Sequence, residues 1–406
     1  MTPVVQGPLR GIRIVDMTME VIGPYATQLM ADLGADVVKV EPPQGDGRRT
    51  QGPSRHPKMT SQFLHNNRGK RSIVVDLKRP QGRAVVLRLC EEADVFVYNS
   101  RRAAMQRLGL TCEDVSAANP RIVYCGAAGF GEGGPYASKP AYDEVIQGLS
   151  AIPMLQARLN GAAPSFLPFM FADRSCGLML AHTLLAALLA RDRLGTGQAI
   201  ELPMFETLAA FVLSEHMEGR GFEPALGEAG MDSMFARRPA RTLDGYLCYA
   251  FERDDQFAAF CDLVGRPEMM SDARFARGAE RDRNMAQCHC FVESELAGRT
   301  TAEWLARFDR AGLPAAPVRS LEQLMDDPQL RQAGFFKPVE HPTEGPLVMM
   351  RVPTRWSDTE PENTRPAPLL GEHTIEVLRE AGYAGADIQA LLADGAVRAA
   401  PAKQTA

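Results

Sequence analysis

The chain has 406 residues, a formal net charge of −5 and a hydrophobic content of 45%. This length and composition predict two domains, or one elaborate domain, with a sizeable core. Acids and bases are mixed along the sequence and no basic tract occurs, which argues against nucleic acid as a partner.

Short β-rich segments alternate with helical patterns in the first half of the chain. Strands are predicted at residues 13–17, 37–40, 72–77, 94–98 and 121–125, and helices at 24–33, 80–93 and 174–193. Strands that alternate with helices predict an α/β fold with a parallel, doubly wound sheet. Ligands of such sheets bind beyond the carboxyl ends of the strands.

The pattern changes after about residue 200. A long helix is predicted at 203–220, and a smaller α+β unit follows with a strand at 245–250 and helices near 256–263 and 301–311. Residues 338–368 are rich in proline and threonine and are predicted to run extended, and a helical tail is predicted at 372–392. We therefore predict four segments, with boundaries 1–202, 203–241, 242–325 and 326–406.

The sequence favours a cytoplasmic protein without a membrane span or a metal site. No positively charged leader with an apolar core is present, so we expect no signal peptide. The longest apolar stretch, residues 177–190, is interrupted by His182 and is too short to cross a bilayer. Scattered cysteines in apolar patterns indicate reduced thiols, and the one cluster, Cys288, His289 and Cys290, lacks a second ligand pair.

Asp173 is the most informative single residue. It follows the apolar run 166–172 and precedes the helical stretch 174–193. A carboxylate in that position can lose part of its hydration and still face backbone N–H donors, which is one way to activate an oxygen nucleophile. Aspartate is also a favoured N-cap residue, and the local pattern leaves both roles open.

A glycine-rich segment, residues 126–134, follows a predicted strand. It suggests a dinucleotide loop, and hence a nicotinamide-dependent oxidoreductase, but Pro135 and Pro140 come before any helix can open. The alternative is a flexible loop that faces an active site. Tyr142 and Asp143 follow it, and they either cap the next helix or bring a phenol and an acid to a pocket.

Basic residues recur near the predicted strand ends. They are either solvated surface charges or a set that holds the phosphates of a nucleotide-like ligand. The set consists of Lys39, Lys70, Arg71, Lys78, Arg101, Arg102 and Arg107.

Ten sequence blocks in order resemble the class III (CaiB/BaiF-type) CoA-transferase family. The resemblance spans about residues 9–392 and is more specific than any single block. The blocks are residues 11–18, 23–26, 33–42, 45–46, 67–73, 119–124, 129–131, 172–173, 193–198 and 369–374.

The resemblance implies a large Rossmann-like, CoA-binding domain built from both chain ends. Residues 1–202 are its N-terminal part, 326–406 complete it, and 242–325 form the small domain between them. It further implies an interlocked homodimer of two open, ring-like subunits.

The resemblance also assigns residue roles. Asp173 falls at the position of the catalytic aspartate. CoA contacts are implied for Val21, Ile22, Val75, Lys78, Asn99, Arg107, Tyr142 and Asp143. Some relatives carry a basic residue that stacks on the adenine where this chain has Pro42, so that contact is missing here. No metal and no tightly bound cofactor are implied, because CoA and acyl-CoA are substrates.

The implied reaction moves CoA from an acyl-CoA to a free carboxylic acid through an aspartyl anhydride and an aspartyl-CoA thioester. N–H donors for the oxyanion are expected at the start of the helix after Asp173, or at the glycines of residues 126–134 or 227–230. Two alternatives stay open, an acyl-CoA racemase or epimerase and a non-catalytic CoA-binding protein.

The racemase branch resembles a Gly-His-Asp sequence where this chain has Ala141, Tyr142 and Asp143. Tyrosine, with an ordinary pKa of about 10, replaces histidine poorly near neutral pH. Glu252 resembles another acid found in racemases, which keeps that alternative open.

Five arginines either read the far carboxylate of a dicarboxylic substrate or lie on the surface. They are Arg48, Arg49, Arg237, Arg238 and Arg241.

Overall fold

The computed structural model describes residues 5–226 and 235–401. Two compact units are present. The first comprises Met1–Ile152, Phe166–Ala210 and Gln332–Ala406, and the second comprises Pro153–Ser165 and Phe211–Arg331. The predicted range 242–325 lies inside the second unit. The four segment boundaries stay a prediction.

Fourteen strands occur in the described residues. They are β1 Val5–Gln6, β2 Arg13–Met17, β3 Asp36–Glu41, β4 Arg71–Val75, β5 Val95–Tyr98, β6 Val123–Ala128, β7 Ala199–Pro203, β8 Ala240–Arg241, β9 Tyr246–Tyr249, β10 Ala315–Pro317, β11 Phe336–His341, β12 Gly345–Met350, β13 Glu362–Asn363 and β14 Val397–Arg398.

Nine helices lie before the gap in the described residues. They are α1 Ile22–Asp32, α2 Ser61–Asn67, α3 Pro80–Cys90, α4 Arg102–Leu108, α5 Cys112–Ala118, α6 Asp143–Leu149, α7 Ile152–Asn160, α8 Phe171–Leu194 and α9 Met204–His216. Further helices follow it. They are α10 Asp254–Val264, α11 Gly278–Arg283, α12 Met285–Leu296, α13 Thr301–Ala311, α14 Leu321–Met325, α15 Pro328–Gln332, α16 Thr374–Glu380 and α17 Gly385–Asp394.

The first unit is built on a seven-stranded sheet in the order β14-β4-β3-β2-β5-β6-β7. Its pairs are parallel, except that β14 runs antiparallel to β4. This confirms the prediction of a mostly parallel α/β sheet. The chain reverses its direction of strand addition between β2 and β5, so the carboxyl ends of these two strands flank the crevice where such sheets bind ligands.

The central strands are runs of buried β-branched residues, which explains why the sequence pattern located them. Ile14 on β2 pairs with Val37 on β3 and with Val95 on β5, and all three side chains are buried. Branched side chains pack well on a pleated surface that is covered on both faces.

Helix α8 packs closely against α1. Its buried face carries Cys176, Leu180, Leu184 and Leu188 at four-residue spacing, so this face turns inward along the helix. Gly177 lies at the closest approach, because a Cβ atom there would come within 2.9 Å of the Ile22 carbonyl oxygen. The start of α8 is thereby held next to the loop that follows β2.

The second unit contains a three-stranded antiparallel sheet in the order β10-β9-β8. An aromatic core packs behind it, with Phe257 and Phe260 from α10 and Trp304 and Phe308 from α13. The predicted helix at 301–311 has the bounds Thr301–Ala311, with Thr300 and Glu303 forming a capping box at its start.

Three sequence predictions need correction. The helix predicted at 203–220 spans Met204–His216 and is followed by a short 3₁₀ helix at Glu218–Gly221. The edge strand β7 before it, which extends the sheet beyond β6, was not predicted. The segment 338–368 contains the hairpin of β11 and β12 rather than only extended chain. The predicted tail helix is two helices, α16 and α17, separated by a turn at Gly382, whose φ is +87°.

No helix within residues 5–226 or 235–401 combines the length and the apolar character needed to cross a membrane.

Candidate active site

Asp173 lies in the first turn of α8, which begins at Phe171. The N-cap position belongs to Met170, so the interpretation of Asp173 as the N-cap residue was wrong by three positions. The apolar residues Phe171 and Ala172 are already helical, and the first i to i−4 bond of the helix runs from the backbone N–H of Arg174 to the carbonyl of Met170. The half-buried Asp173 carboxylate is consequently placed near the positive end of the helix dipole.

Asp143 supplies the cap that Asp173 does not. Its Oδ1 accepts a hydrogen bond of 2.9 Å from the backbone N–H of Asp173, and its Oδ2 accepts one of 2.5 Å from Nε2 of Gln147. The Gln147 Oε1 in turn accepts from the backbone N–H of Leu167. Asp143 was one candidate to cap the following helix, α6, but that helix has Tyr142 at its N-cap and no side-chain cap bond. The carboxylate of Asp143 caps α8 instead.

The electrostatic surroundings make Asp173 unusual. The pKa of Asp173 is raised from 3.8 to about 7. Burial is the largest cause, the negative charge of Asp143 is the second, and Glu144 makes a smaller contribution. The guanidinium groups of Arg48 and Arg174 act in the opposite direction and limit the rise in pKa. Asp173 therefore exchanges its proton near neutral pH.

Arg174, the residue after Asp173, is held by two elements. Its guanidinium carbon lies 4.4 Å from the ring centroid of Tyr25 on α1, and its Nη1 donates a 3.0 Å hydrogen bond to Oδ1 of Asn66 on α2. Burial lowers the pKa of Arg174. These contacts fix the first turn of α8 against both helices.

A second arginine, Arg48, is fixed on the neighbouring loop. It is the middle residue of a short 3₁₀ helix, Gly47–Arg49, and its backbone N–H donates to Oδ1 of the N-cap residue Asp46. Its Nε lies 2.9 Å from Oε2 of Glu20, and its Nη1 donates a 3.2 Å hydrogen bond to Oε1 of Gln62.

Fully buried ion pairs lie beneath these loops. Lys39 on β3 pairs with Asp46 at 2.8 Å, and Lys70 pairs with Asp16 on β2 at 3.0 Å. Burial opposes ionisation of Asp16, but Lys70, Lys39 and two threonine hydroxyls outweigh it and lower the pKa of Asp16 to about 2. The hypothesis that Lys39 and Lys70 hold phosphates was wrong, because both ammonium groups are enclosed and paired.

Arg49 and Arg71 are also structural. The Arg49 guanidinium makes two 2.7 Å hydrogen bonds to Glu41 and lies 3.7 Å from the ring centroid of Phe63, and its side chain is fully buried. Arg71 binds Asp36 and the helix α16 residues Glu376 and Glu380. Arg49 is thus excluded as a reader of a substrate carboxylate, and Arg71 as a phosphate ligand.

The comparisons with known proteins agree on one family. Residues 9–374 match the sequence model of CoA-transferase family III. A succinate–glutarate CoA-transferase of Agrobacterium fabrum is 33% identical over 383 residues, covering 92% of this chain and 95% of that protein. The probable fatty acyl-CoA transferase Rv3272 of Mycobacterium tuberculosis is 32% identical over 385 residues, covering 91% and 97%. This chain belongs to CoA-transferase family III.

Structural similarity to the same family extends over nearly the whole chain. The crystal structure of a CaiB/BaiF family protein from Brucella suis matches with a TM-score of 0.78 at 31% identity, covering 93% of this chain and all of that one. The resemblance stated from the sequence blocks is confirmed. The mixed α/β fold with its mostly parallel sheet is the fold of this family.

The other residues that were predicted to contact CoA differ in how far their side chains are exposed to solvent. Lys78, Arg107 and Tyr142 are exposed, Tyr142 by 67%. The side chains of Val21 and Val75 are buried in the core. Within residues 5–226 and 235–401, no hydrogen bond or ion pair joins any of these five to Asp173.

Two further predicted CoA residues lie at the loop after β2, and both have structural contacts. Asn99, just beyond β5, accepts a hydrogen bond of 2.9 Å from the backbone N–H of Met19 and donates one of 2.7 Å to the carbonyl of Met19. It therefore holds the loop after β2 beside the carboxyl end of β5. The Ile22 side chain is buried, and its carbonyl oxygen faces Gly177 of α8. Ile22 begins α1, Asp143 begins α6, and Asp173 lies in the first turn of α8. The structure brings these three residues together, because Ile22 packs against α8 at Gly177 and Asp143 binds the backbone of Asp173.

The glycine-rich segment is bonded to its own surroundings. The backbone N–H of Gly131 donates to Oε1 of Glu206, and the carbonyl of Gly129 accepts from the backbone N–H of Phe205. The segment follows β6 rather than the first strand of the sheet, so it is not placed like a dinucleotide loop. The other glycine candidates, residues 227–230, lie outside the described residues.

In the second unit, Oε1 of Glu252 lies 3.7 Å from Nη1 of Arg237. Both residues line a cavity together with Arg238. Cys288 and Cys290 lie on α12, the first buried and the second exposed. Among residues 5–226 and 235–401, no group of three histidine, cysteine or acidic side chains is arranged to hold a metal ion.

Sequence reasoning missed the roles of Gln147 and Glu20. Gln147 follows Asp143 by four residues, which places both side chains on one helix face, and this spacing was the available signal. Glu20 gave no local signal, because its partner Arg48 is distant in sequence.

Proposed function

We propose that the chain transfers CoA from an acyl-CoA thioester to a free carboxylic acid through covalent intermediates on Asp173. The observation that carries this proposal is the half-buried Asp173 carboxylate in the first turn of α8, with a pKa raised to about 7 by burial and by Asp143. A more basic carboxylate is a better nucleophile, and a substantial fraction is ionised at neutral pH.

The first half-reaction releases the donor acid. A carboxylate oxygen of Asp173 bonds to the thioester carbonyl carbon, the carbon–sulfur bond breaks, and CoA leaves as a thiolate from an aspartyl anhydride. The thiolate then bonds to the side-chain carbonyl carbon of Asp173, and the donor acid departs with the bridging oxygen. Thiols with an ordinary pKa of about 8.5 are adequate leaving groups near neutral pH.

The second half-reaction runs these steps in reverse with the acceptor. The acceptor carboxylate attacks the aspartyl-CoA thioester and expels the thiolate, which then attacks the acceptor carbonyl carbon. The new acyl-CoA leaves, and Asp173 regains a carboxylate that contains one oxygen from the acceptor. One thioester is exchanged for another, so the sequence balances without an added oxidant or energy source.

Three features of the chain support these steps. The positive end of α8 favours the negative charge that develops at Asp173. Asp143 is fixed by Gln147 and has both oxygens bonded, so it orients the turn rather than attacking. Partial burial of the nucleophile limits the access of water, which would otherwise hydrolyse either intermediate.

We further propose where CoA lies. Lys78 and Arg107 are exposed cations that follow β4 and β5 and suit phosphate groups, and the exposed phenol of Tyr142 precedes Asp143. The buried residues Val21, Ile22 and Val75 and the loop-holding residue Asn99 would act through the backbone and loops that they hold. Arg107→Ala should therefore weaken CoA binding, whereas Asp143 variants should affect chemistry.

We also propose that the protein is an interlocked homodimer and that each chain has a large and a small domain. Static light scattering of the purified protein tests whether it is a dimer. A mass equal to one chain at micromolar concentration would reject a stable dimer.

A racemase is the weaker candidate. The named relatives above are transferases, and Tyr142 is a largely exposed phenol where the racemase branch has a histidine. Incubation of a chiral 2-methylacyl-CoA in D2O separates the two, since α-deuteration without CoA transfer would favour the racemase.

Trapping the covalent intermediate is the decisive test of CoA transfer. Acyl-CoA followed by hydroxylamine should modify the peptide that contains Asp173, and Asp173→Ala should lower transfer by at least about 1,000-fold while acyl-CoA still binds. A modified peptide elsewhere, or turnover retained by the alanine variant, would reject the role of Asp173.

A further inference from the structure

Gln147 and Asp143 form a directional chain of hydrogen bonds that ends at Asp173. Both residues lie on one face of α6 and are almost completely buried. The backbone N–H of Leu167 donates a 3.1 Å hydrogen bond to Oε1 of Gln147, and Nε2 of Gln147 donates one of 2.5 Å to Oδ2 of Asp143. The backbone N–H of Asp173 donates one of 2.9 Å to Oδ1 of Asp143. A backbone N–H group therefore stands at each end of the chain.

The two backbone groups fix the direction of every bond in this chain. A backbone N–H can only donate, so the amide oxygen of Gln147 must face Leu167 and its NH2 group must face Asp143. Within residues 5–226 and 235–401, both hydrogen bonds of the Asp143 carboxylate come from N–H donors. A proton on Asp143 would find a donor rather than an acceptor in both of these directions, which is costly for a buried group. The chain therefore stabilises Asp143 as a carboxylate.

Asp173 is the member of the pair that can exchange a proton. In the described ranges 5–226 and 235–401, no hydrogen bond holds its carboxylate oxygens, and Asp143 is the charge with the largest effect on its pKa. The charged groups with smaller effects are Arg48 on the loop after β3, Arg174 on α8 and Glu144 on α6. Arg174 in turn faces Tyr25 on α1, and the buried Cys176 thiol on α8 stays protonated because burial raises its pKa to about 12.

We propose that Gln147 is a positioning residue that keeps the negative charge of this pair on Asp143, so that Asp173 alone gains and loses the proton. The amide gives Asp143 a donor and offers it no acceptor, because the amide oxygen is occupied by the N–H of Leu167. Gln147 thus acts on the reaction only through Asp143. This inference rests on the proposed function, in which Asp173 is the nucleophile.

Exchanging the acid and the amide tests the direction of the chain. In Asp143→Asn, the new amide oxygen still accepts from the N–H of Asp173, but its NH2 group then faces the NH2 group of Gln147. Adding Gln147→Glu removes this conflict, because the new carboxylate accepts from both the new amide and the N–H of Leu167. The double variant therefore satisfies every bond of the chain and holds the negative charge one side chain farther from Asp173.

Two measurements report the exchange. The rate of adduct formation at Asp173 from acetyl-CoA, followed against pH, should reach its midpoint roughly one to two pH units lower in Asp143→Asn than in the wild type. The double variant should have a midpoint between these two. In thermal unfolding at pH of about 5, where Asp173 is largely protonated, Asp143→Asn should melt roughly 2–5 °C below the wild type, and the double variant should recover most of this loss.

Gln28 provides a matched control. It is a buried glutamine on α1, and its Nε2 donates to Oδ2 of Asp32, four residues later in the same helix. Asp32 pairs with Arg68 and not with Asp173. Gln28→Glu added to Asp143→Asn should therefore leave the midpoint of the single variant unchanged and recover none of its lost Tm.

The outcomes separate the two proposals. Absence of an Asp173 adduct in the wild type would reject the proposed function, and the thermal comparison would still test the direction of the chain. Normal adduct formation with a double variant that is no more stable than Asp143→Asn, or whose midpoint is no higher, would overturn the role of Gln147. If Asp143→Asn does not fold, a folded double variant supports the role and an unfolded one overturns it.

Discussion

Asp173→Asn should stabilise the ligand-free protein above neutral pH while it removes the proposed nucleophile. Burial and Asp143 raise the pKa of Asp173 from 3.8 to about 7. At about 1.4 kcal/mol per pKa unit, keeping this carboxylate ionised in the native state costs about 4 kcal/mol. Partial exposure screens the charge and asparagine needs hydrogen bonds of its own, so we expect a net gain of about 1–3 kcal/mol.

The pH dependence identifies the cause of this gain. Below pH of about 4, Asp173 is protonated in both the native and the unfolded state, and the electrostatic advantage of asparagine vanishes. Because the native state holds the proton more tightly, the advantage grows as pH rises from about 4 to about 7 and stays constant above.

Urea unfolding of both proteins across this pH range measures the difference in the free energy of unfolding. Asp309→Asn, at an exposed aspartate on α13, is the matched control and should give no such dependence. A gain that does not change with pH, or a variant that is less stable than wild type at pH of about 8, would refute the electrostatic reasoning.

Three further outcomes are expected. The rate of adduct formation at Asp173 should rise about tenfold per pH unit below its pKa of about 7 and level off above, and a flat stopped-flow profile would contradict this. Asp143→Asn removes the second cause of the raised pKa, so the midpoint of the same profile should move to lower pH. Gly177→Ala should destabilise by about 1–3 kcal/mol in thermal unfolding, because its Cβ atom would lie 2.9 Å from the Ile22 carbonyl, whereas Gly148→Ala meets nothing within 4 Å and should be tolerated.

The sheet was predictable because its information is local. Runs such as the valines of β3 and the isoleucine and valines of β4 are buried on both faces and lie between helical patterns, so their pattern identifies strands without any knowledge of their partners. Strands β7 and β14 lack this signal. β7 is partly exposed at the edge of the sheet, and β14 has only two residues that pair with β4.

The buried charges could not be predicted, because their meaning depends on distant partners. Lys39 lies between buried valines on a central strand, and its partners are Asp46 and the backbone carbonyl of Thr18, both on loops outside that strand. Lys70 likewise depends on Asp16, 54 residues earlier. A charged residue flanked by β-branched residues in a central parallel strand is the sequence signal for such an internal ion pair. The phosphate-ligand hypothesis for Lys39 was wrong because a side chain in that position is buried.

The candidate site was predictable in part for the same reason. The apolar run and the helix around Asp173 are adjacent in sequence, so the residue itself could be found. Its environment comes from Asp143, 30 residues away, and from Arg48 on a loop of the opposite half of the sheet. The pattern could not choose which helix Asp143 caps, because only tertiary contact decides it.

The buried ion pairs connect the fold to the chemistry. Removing charges from water is costly, and apolar residues would often stabilise a core as well. Here Lys39 holds Asp46, and Asp46 binds the backbones of both Glu20 and Arg48. Because Arg48 lowers the pKa of Asp173, a lysine that never touches the nucleophile contributes to its protonation state through the loop that it fixes. Specific positioning of these loops, rather than stability alone, is therefore the physical reason for a charged layer beneath the site.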